Sequence, residues 1–337
     1  MLQIAVVGAG INGLTCALRI QEKYKKYRVV LLAKQFTPNT TGDGSAGLWY
    51  PFETGNTSSE LLCKWGTATY EFLHGLWLEG GLDVCAVPLS FVYRKPRNEN
   101  KPDWGKHTFG YRQIGEKHLE YLSKRHSQKF VSGHTFTTLI VPPTKLMAHF
   151  HKLFEEAGGR TLQVEVSSLE DPILGEYDVV VNCTGIGARD LVPDNSVFSV
   201  KGQVTKVFAP WVNECIVDID GGNYIIPNPE ICVLGGVTEH GNYSTDVDED
   251  TSAFILNGCK KMLPALQNVV VVNEWAGLRP GRDQVRLEAE ERGGKLYLHN
   301  YGHGGSGFTL FWGCSTDVLF LLENYLEKKG IIKKSKL

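Results

Sequence analysis

Apolar and polar positions follow a few clear rhythms along the chain. Ile4-Ala5-Val6-Val7 is a short apolar run ending at Gly8, the pattern of a strand buried on both faces. Residues 12–22 then place Leu14, Ala17, Leu18 and Gln21 at helical spacing. After the polar turn Lys23-Tyr24-Lys25-Lys26 comes a second apolar run, Val29-Val30-Leu31-Leu32. Together these predict a βαβ unit of the kind that opens a doubly wound domain. Val179-Val180-Val181-Asn182-Cys183-Thr184-Gly185 predicts another buried parallel strand ending in glycine. Lys295-Leu296-Tyr297-Leu298-His299 predicts a strand, followed by the cluster Gly302-His303-Gly304-Gly305-Ser306-Gly307. Residues 308–329 then read as a long helix, with Leu310, Phe311, Cys314, Val318, Leu321, Leu322 and Tyr325 on one broad face. Pro- and aromatic-rich segments of mixed character lie between, and there is no internal repeat.

The expected architecture is therefore α/β. A Rossmann-like cofactor domain is assembled from the discontinuous segments 1–55, 140–190 and 285–330, and a second, mainly antiparallel β domain for substrate from 56–139 and 191–284. Residues 331–337 form a C-terminal targeting tail. At 337 residues and 37.4 kDa the chain is long enough for two lobes, each with its own core.

Composition narrows the function classes. A formal net charge of −2 leaves no basic footprint for nucleic acid or an anionic membrane surface. No apolar stretch reaches the roughly 18 residues of a membrane span. The eight cysteines are scattered without a CxxC pair, which argues against a zinc site and a disulfide scaffold and for a reducing compartment. Asp246, Asp248, Glu249 and Asp250 lack the glycine and terminal glutamate of a calcium loop, so no metal is expected. The apolar N-terminus has no basic region before it and is broken by glycines, unlike a signal peptide. Ser335-Lys336-Leu337, preceded by Lys333-Lys334, reads as a peroxisomal address, with the import receptor as its partner.

The first chemical motif is Gly8-Ala9-Gly10-Ile11-Asn12-Gly13, a G-x-G-x-x-G between strand and helix. Its glycines allow a tight turn, close approach of a pyrophosphate and close helix–strand packing, and the helix N-terminus presents free N–H groups to the phosphates. The second run ends in Lys34-Gln35, where an acidic residue for the adenosine ribose is usual. The glycines alone therefore leave FAD and a nicotinamide both open.

Further segments resemble one family. Phe36-Thr37-Pro38-Asn39-Thr40-Thr41-Gly42-Asp43 with Ser45-Ala46-Gly47-Leu48-Trp49 is similar to the flavin-binding loop of the D-amino-acid oxidase and D-aspartate oxidase family. Gly277-Leu278-Arg279-Pro280 resembles its substrate-carboxylate segment, and His299-Asn300-Tyr301 running through the glycine cluster to Phe308-Thr309 resembles its C-terminal flavin loop. Val200-Lys201-Gly202-Gln203-Val204 and Asn223-Tyr224-Ile225-Ile226-Pro227 fall in the expected order, so the similarity spans essentially the whole chain. The resemblance implies non-covalent FAD, bound by Gly8, Ala9, Gly10, Ile11, Asn12, Gly13, Lys34, Thr40, Thr41, Asp43, Gly47, Leu48, Val166, Thr184, Gly304, Gly305, Ser306, Gly307, Phe308 and Thr309. Lys34 and Gln35 depart from the family's usual Asp-Arg pair.

It also implies oxidative deamination of a D-amino acid with O2, giving a 2-oxo acid, ammonia and H2O2. Arg279 and Tyr224 would grip the substrate carboxylate, the guanidinium through paired charge-assisted hydrogen bonds, with Gly305 completing the catalytic set. His303 is expected to be a satisfied loop histidine, not a general base. The segment 216–223 is short, like the D-aspartate branch, and lacks the second tyrosine of the neutral branch's longer lid. The acidic branch places arginines near Val217 and Thr238, and neither is present here. Gly305 matches the neutral branch, and His240 is the one nearby candidate cation. Neutral D-amino acids are thus favoured slightly, with D-aspartate and D-glutamate as the alternative and a sarcosine-type amine oxidase more remote.

Overall fold

A computed structural model describes residues 2–97 and 101–333, so Ser335-Lys336-Leu337 lie outside the described residues. In chain order the first elements are β1 (Gln3–Val7), α1 (Ile11–Lys23), β2 (Arg28–Ala33), α2 (Ser59–Glu79) and β3 (Cys85–Tyr93). Next come β4 (Phe109–Gln113), α3 (Glu116–Arg125), β5 (Ser132–Ile140), α4 (Pro143–Glu156), β6 (Arg160–Gln163) and β7 (Val179–Asn182). The one-turn helix α5 (Ala188–Leu191) leads to β8 (Phe198–Phe208), β9 (Cys215–Asp218), β10 (Asn223–Pro227), β11 (Cys232–Gly235) and β12 (Glu239–His240). The chain closes with α6 (Glu249–Met262), β13 (Val270–Gly281), β14 (Arg286–Arg292), β15 (Lys295–Tyr301) and α7 (Gly307–Lys328).

The first sheet has the order β14-β15-β7-β1-β2-β6. Its strands are parallel except β14, which pairs antiparallel with β15. Ile4, Ala5, Val6, Val179, Val180 and Val181 are fully buried, which is what continuous apolar runs require when helices cover both faces. The helix α1 buries Leu14, Ala17, Leu18 and Ile20. The second sheet has nine strands, in the order β12-β8-β11-β10-β9-β3-β5-β4 with β13 beside β8. Its pairings are antiparallel except β3 with β9.

The lobes differ from the sequence expectation in one respect. The largest apolar cluster runs from Ile4 and Leu31 through Trp49 and Phe136 to Val204 and Ile226, so both sheets share it. A separate cluster under α6, including Ile225, Leu234, Ile255 and Cys259, belongs to the second lobe. The join is physical: Trp49 is fully buried, donates from Nε1 to the Gly66 carbonyl at 3.0 Å, and packs edge-on to Tyr70 and Trp104. Likewise α2, from the segment expected in the substrate domain, packs on α7, with Phe72 stacked on Trp312 at 3.6 Å.

Candidate active site and cofactor cleft

A cavity of about 890 Å3 crosses the carboxyl ends of β2, β1, β7 and β15 and continues under β8, β10 and β13. That is where open parallel sheets bind ligands, because successive connections leave a crevice there. The glycine motif shapes its floor. A Cβ on Gly13 would stand 1.8 Å from the Gly8 carbonyl oxygen, and one on Gly8 would stand 2.5 Å from the Cys183 carbonyl oxygen. Both contacts are backbone against backbone, so only glycine lets α1 and β7 close on β1. At Gly10 a Cβ would meet nothing within 4 Å, since this residue borders the cleft itself. The first residues of two helices, Ile11 and Asn12 of α1 and Gly307 and Phe308 of α7, also line the cleft, directing two positive helix ends at it.

Of the residues singled out from the sequence, Gly8, Ala9, Gly10, Ile11, Asn12, Lys34, Thr40, Thr41, Gly47, Leu48, Val166, Thr184, Gly304, Gly305, Gly307, Phe308, Tyr224 and Arg279 line this one cavity. Gly13, Asp43, Ser306 and Thr309 stand behind its walls. Buried Asp43 accepts from the Thr37 hydroxyl at 2.6 Å, the Thr144 hydroxyl at 2.7 Å, and the Thr40 amide and hydroxyl at 2.9 and 2.7 Å. It thereby shapes the threonine loop. Ser306 Oγ accepts from the Phe52 amide at 2.7 Å and donates to the Phe52 carbonyl at 2.8 Å. Thr309 Oγ1 does the same for Tyr50, at 3.1 and 2.8 Å. These hydroxyls bind the 46–53 loop to the start of α7.

At one end of the cleft Lys34 pairs with Glu165 at 2.9 Å. Glu165, just beyond β6, supplies there the carboxylate that β2 lacks, and it offsets the lysine charge that a 2′-phosphate would need. Nothing in the sequence pointed to it, because it lies 131 residues away, in the segment after β6.

The other end sets one guanidinium among apolar and polar side chains. Arg279 is half-buried on β13, donates to the carbonyls of Lys201 at 3.4 Å and Val237 at 3.3 Å, and among the described residues has no carboxylate partner. Its neighbour Tyr224 is pushed above the ordinary phenol range chiefly by burial, with the Arg279 charge pulling the other way. Room for both is made by glycines opposite: a Cβ on Gly202 would sit 2.3 Å from the Arg279 Nη2, and one on Gly235 2.3 Å from the Tyr224 hydroxyl. Asp218 lines this end too, but it is held by Arg94 at 2.6 Å. His303 lies in the wall with Nδ1 3.4 Å from Asn12 Nδ2, and burial lowers its pKa to about 4, leaving a neutral ring. His240 is outside the lining, 3.3 Å from Glu53, which is outside it as well. Among the described residues no group of three or more His, Cys, Asp or Glu could hold a metal ion, and no helix is long and apolar enough to cross a membrane.

The cleft fits a dinucleotide flavin: glycine floor, paired helix N-termini, and a cavity that runs from Lys34 to the Arg279 guanidinium. The family model described as FAD dependent oxidoreductase matches residues 3–318. A D-amino acid oxidase of Dugesia ryukyuensis is 33% identical, covering 97% of this chain and 99% of its own. A D-amino-acid oxidase of Rubrobacter xylanophilus is 36% identical, covering 94% of each. A D-aspartate oxidase of Homo sapiens is 33% identical, covering 95% of this chain and 94% of its own. In fold, the crystal structure of glycine oxidase from Geobacillus kaustophilus superposes with a TM-score of 0.78 at 17% identity, covering 96% of this chain and 95% of that one. With a cleft built for the flavin and full-length likeness to these relatives, the chain belongs to the D-amino-acid oxidase family of FAD dependent oxidoreductases.

Proposed function

We propose that the protein oxidises neutral D-amino acids, releasing a 2-oxo acid, ammonia and H2O2, and that it does so in peroxisomes. The carrying observation is Arg279: a half-buried guanidinium at the end of the flavin cleft opposite Lys34, without a carboxylate partner among the described residues, beside the Tyr224 hydroxyl. A buried cation left unpaired is costly, and an incoming carboxylate relieves that cost with two parallel hydrogen bonds. FAD, when bound, would supply the two-electron acceptor chemistry that no side chain provides, with O2 as the final acceptor. The chain's own part is orientation and exclusion of water. Arg279 and Tyr224 fix the carboxylate, while Leu48, Val217 and Leu278 surround the rest of the substrate with apolar surface. No general base is needed from the protein, and His303, whose pKa burial lowers to about 4, is too weak a base to serve as one.

The neutral preference rests on charge. Lys34 and Arg279 are the only lysine or arginine among the described residues lining the cavity, and Lys34 is paired at the far end. A side-chain carboxylate would be buried against Val217 and Thr238 with no cation to meet it. Comparison of kcat/KM for D-alanine, D-methionine, D-aspartate and D-glutamate at one pH tests this, and a D-aspartate preference above about tenfold overturns it. The relationship to D-aspartate oxidase makes the acidic substrates the second reading. Peroxisomal location is supported by Ser335-Lys336-Leu337 and suits a producer of H2O2.

A further inference from the structure

The connection between β9 and β10 is a short turn, 219–222, which contributes Ile219 and Gly222 to the cavity lining. The loop that follows Trp49 adds an aromatic wall. The Phe52 ring lies over the Arg279 guanidinium, 5.7 Å from Cζ to ring centroid, and lines the cavity with 38% of its surface exposed. Its backbone is held from the α7 side: Gly305 N donates to the Phe52 carbonyl at 3.1 Å, and Ser306 Oγ bonds both its amide and its carbonyl. A Cβ on Gly305 would stand 2.4 Å from Phe52 Cδ1, so the ring occupies the space that a side chain at 305 would need.

The next residue, Glu53, has φ 55°, an unusual backbone for a glutamate, and its carbonyl passes so close to Gly304 that a Cβ there would be 1.7 Å away. The Glu53 carboxylate reaches His240 Nε2 at 3.3 Å. His240 sits on β12, which pairs with β8 at Val200, the same residue that β13 pairs with through Arg279. Its ring stacks on Phe198 at 5.7 Å. The two ends of the Glu53–His240 bridge thus belong to the loop that carries Phe52 and to the sheet that carries Arg279.

We infer that Phe52 is a specificity-determining residue that walls the amino-acid end beside Arg279, and that Glu53 and His240 are positioning residues whose bridge holds that wall in place. The inference rests on the amino-acid oxidase reading above. A fixed aromatic wall admits small apolar side chains and rejects bulky ones.

The test uses the FAD-loaded full chain. Phe52→Ala should raise kcat/KM for D-phenylalanine relative to D-alanine by about tenfold. Glu53→Gln and His240→Gln should each raise the same ratio by about threefold, with the double variant no larger than either single, as for one shared interaction. The swapped pair Glu53→Lys with His240→Glu should return the ratio toward wild type. An unchanged or lowered ratio in Phe52→Ala, or additive effects of the two bridge variants, overturns the inference. A second readout needs no turnover: titration with benzoate and with acetate, followed by the flavin absorption spectrum. Phe52→Ala should shift the relative affinity of these carboxylates by a similar factor, and identical relative affinities overturn the wall. If wild type binds both carboxylates but oxidises no D-amino acid, the functional reading fails while the wall is still measured.

Discussion

At the scale of single residues, charge and burial decide. Arg279→Lys keeps a positive charge but loses the planar fork, so FAD binding should survive while substrate turnover falls. Loss of a charge-assisted bidentate contact costs about 2–4 kcal/mol, roughly 30- to 1000-fold in kcat/KM. Steady-state kinetics with D-alanine check it, and an unchanged kcat/KM removes Arg279 from the site. His303 gives a pH prediction. Its folded pKa, about 4, lies below the ordinary imidazole value of 6.5. Between those values the unfolded chain binds a proton that the folded chain does not, so this residue lowers stability as pH falls from 6.5 toward 4. The full effect is about 3 kcal/mol. Chemical denaturation of wild type and His303→Gln from pH 7 to pH 4 should show a flatter dependence in the variant, and parallel curves would count against it. That Arg279 and Tyr224 line the cleft was legible only through the segments around them, because a lone arginine or tyrosine carries no signature. The structural work of Asp43, Ser306 and Thr309 was not legible at all, since each acts through hydrogen bonds to a loop distant in sequence.

At the scale of elements, local pattern was a good guide wherever burial is uniform. The runs at Ile4, Val29 and Val179 lie within parallel strands β1, β2 and β7, and the last helix begins at Gly307, one residue before the expected start. What pattern could not reveal was the pairing between elements: that α2 packs on α7, or that Glu165 beyond β6 meets Lys34. The second contact spans 131 residues and the first spans more, with no periodicity to announce either. The glycine turn is the sharpest element-level test. In Gly13→Ala the added methyl would overlap the Gly8 carbonyl oxygen, so α1 must move away from β1. A cost of about 2–4 kcal/mol in stability and a matching loss of FAD affinity are expected. Thermal unfolding and FAD titration measure both, and wild-type affinity in the variant would show that the helix tolerates displacement.

At the scale of the whole molecule, two sheets share one apolar cluster, and the cleft lies where they meet. FAD bound there would touch both, so it should stabilise the entire chain and not one lobe; the gain follows the ratio of free FAD to its Kd. Delivery is separable from this body. Removing Ser335, Lys336 and Leu337 should leave kcat/KM for D-alanine as in wild type and move the protein from peroxisomes to cytosol, read by fluorescence microscopy of an N-terminally tagged chain. Persistent peroxisomal signal would place the address elsewhere. The central claim is that this cleft brings a D-amino acid to FAD, and anaerobic mixing tests it most directly. Adding D-alanine to the purified FAD-loaded protein without O2 should bleach the flavin absorption, and L-alanine should not. A flavin spectrum that stays oxidised with D-alanine, D-methionine and D-aspartate alike would contradict the account.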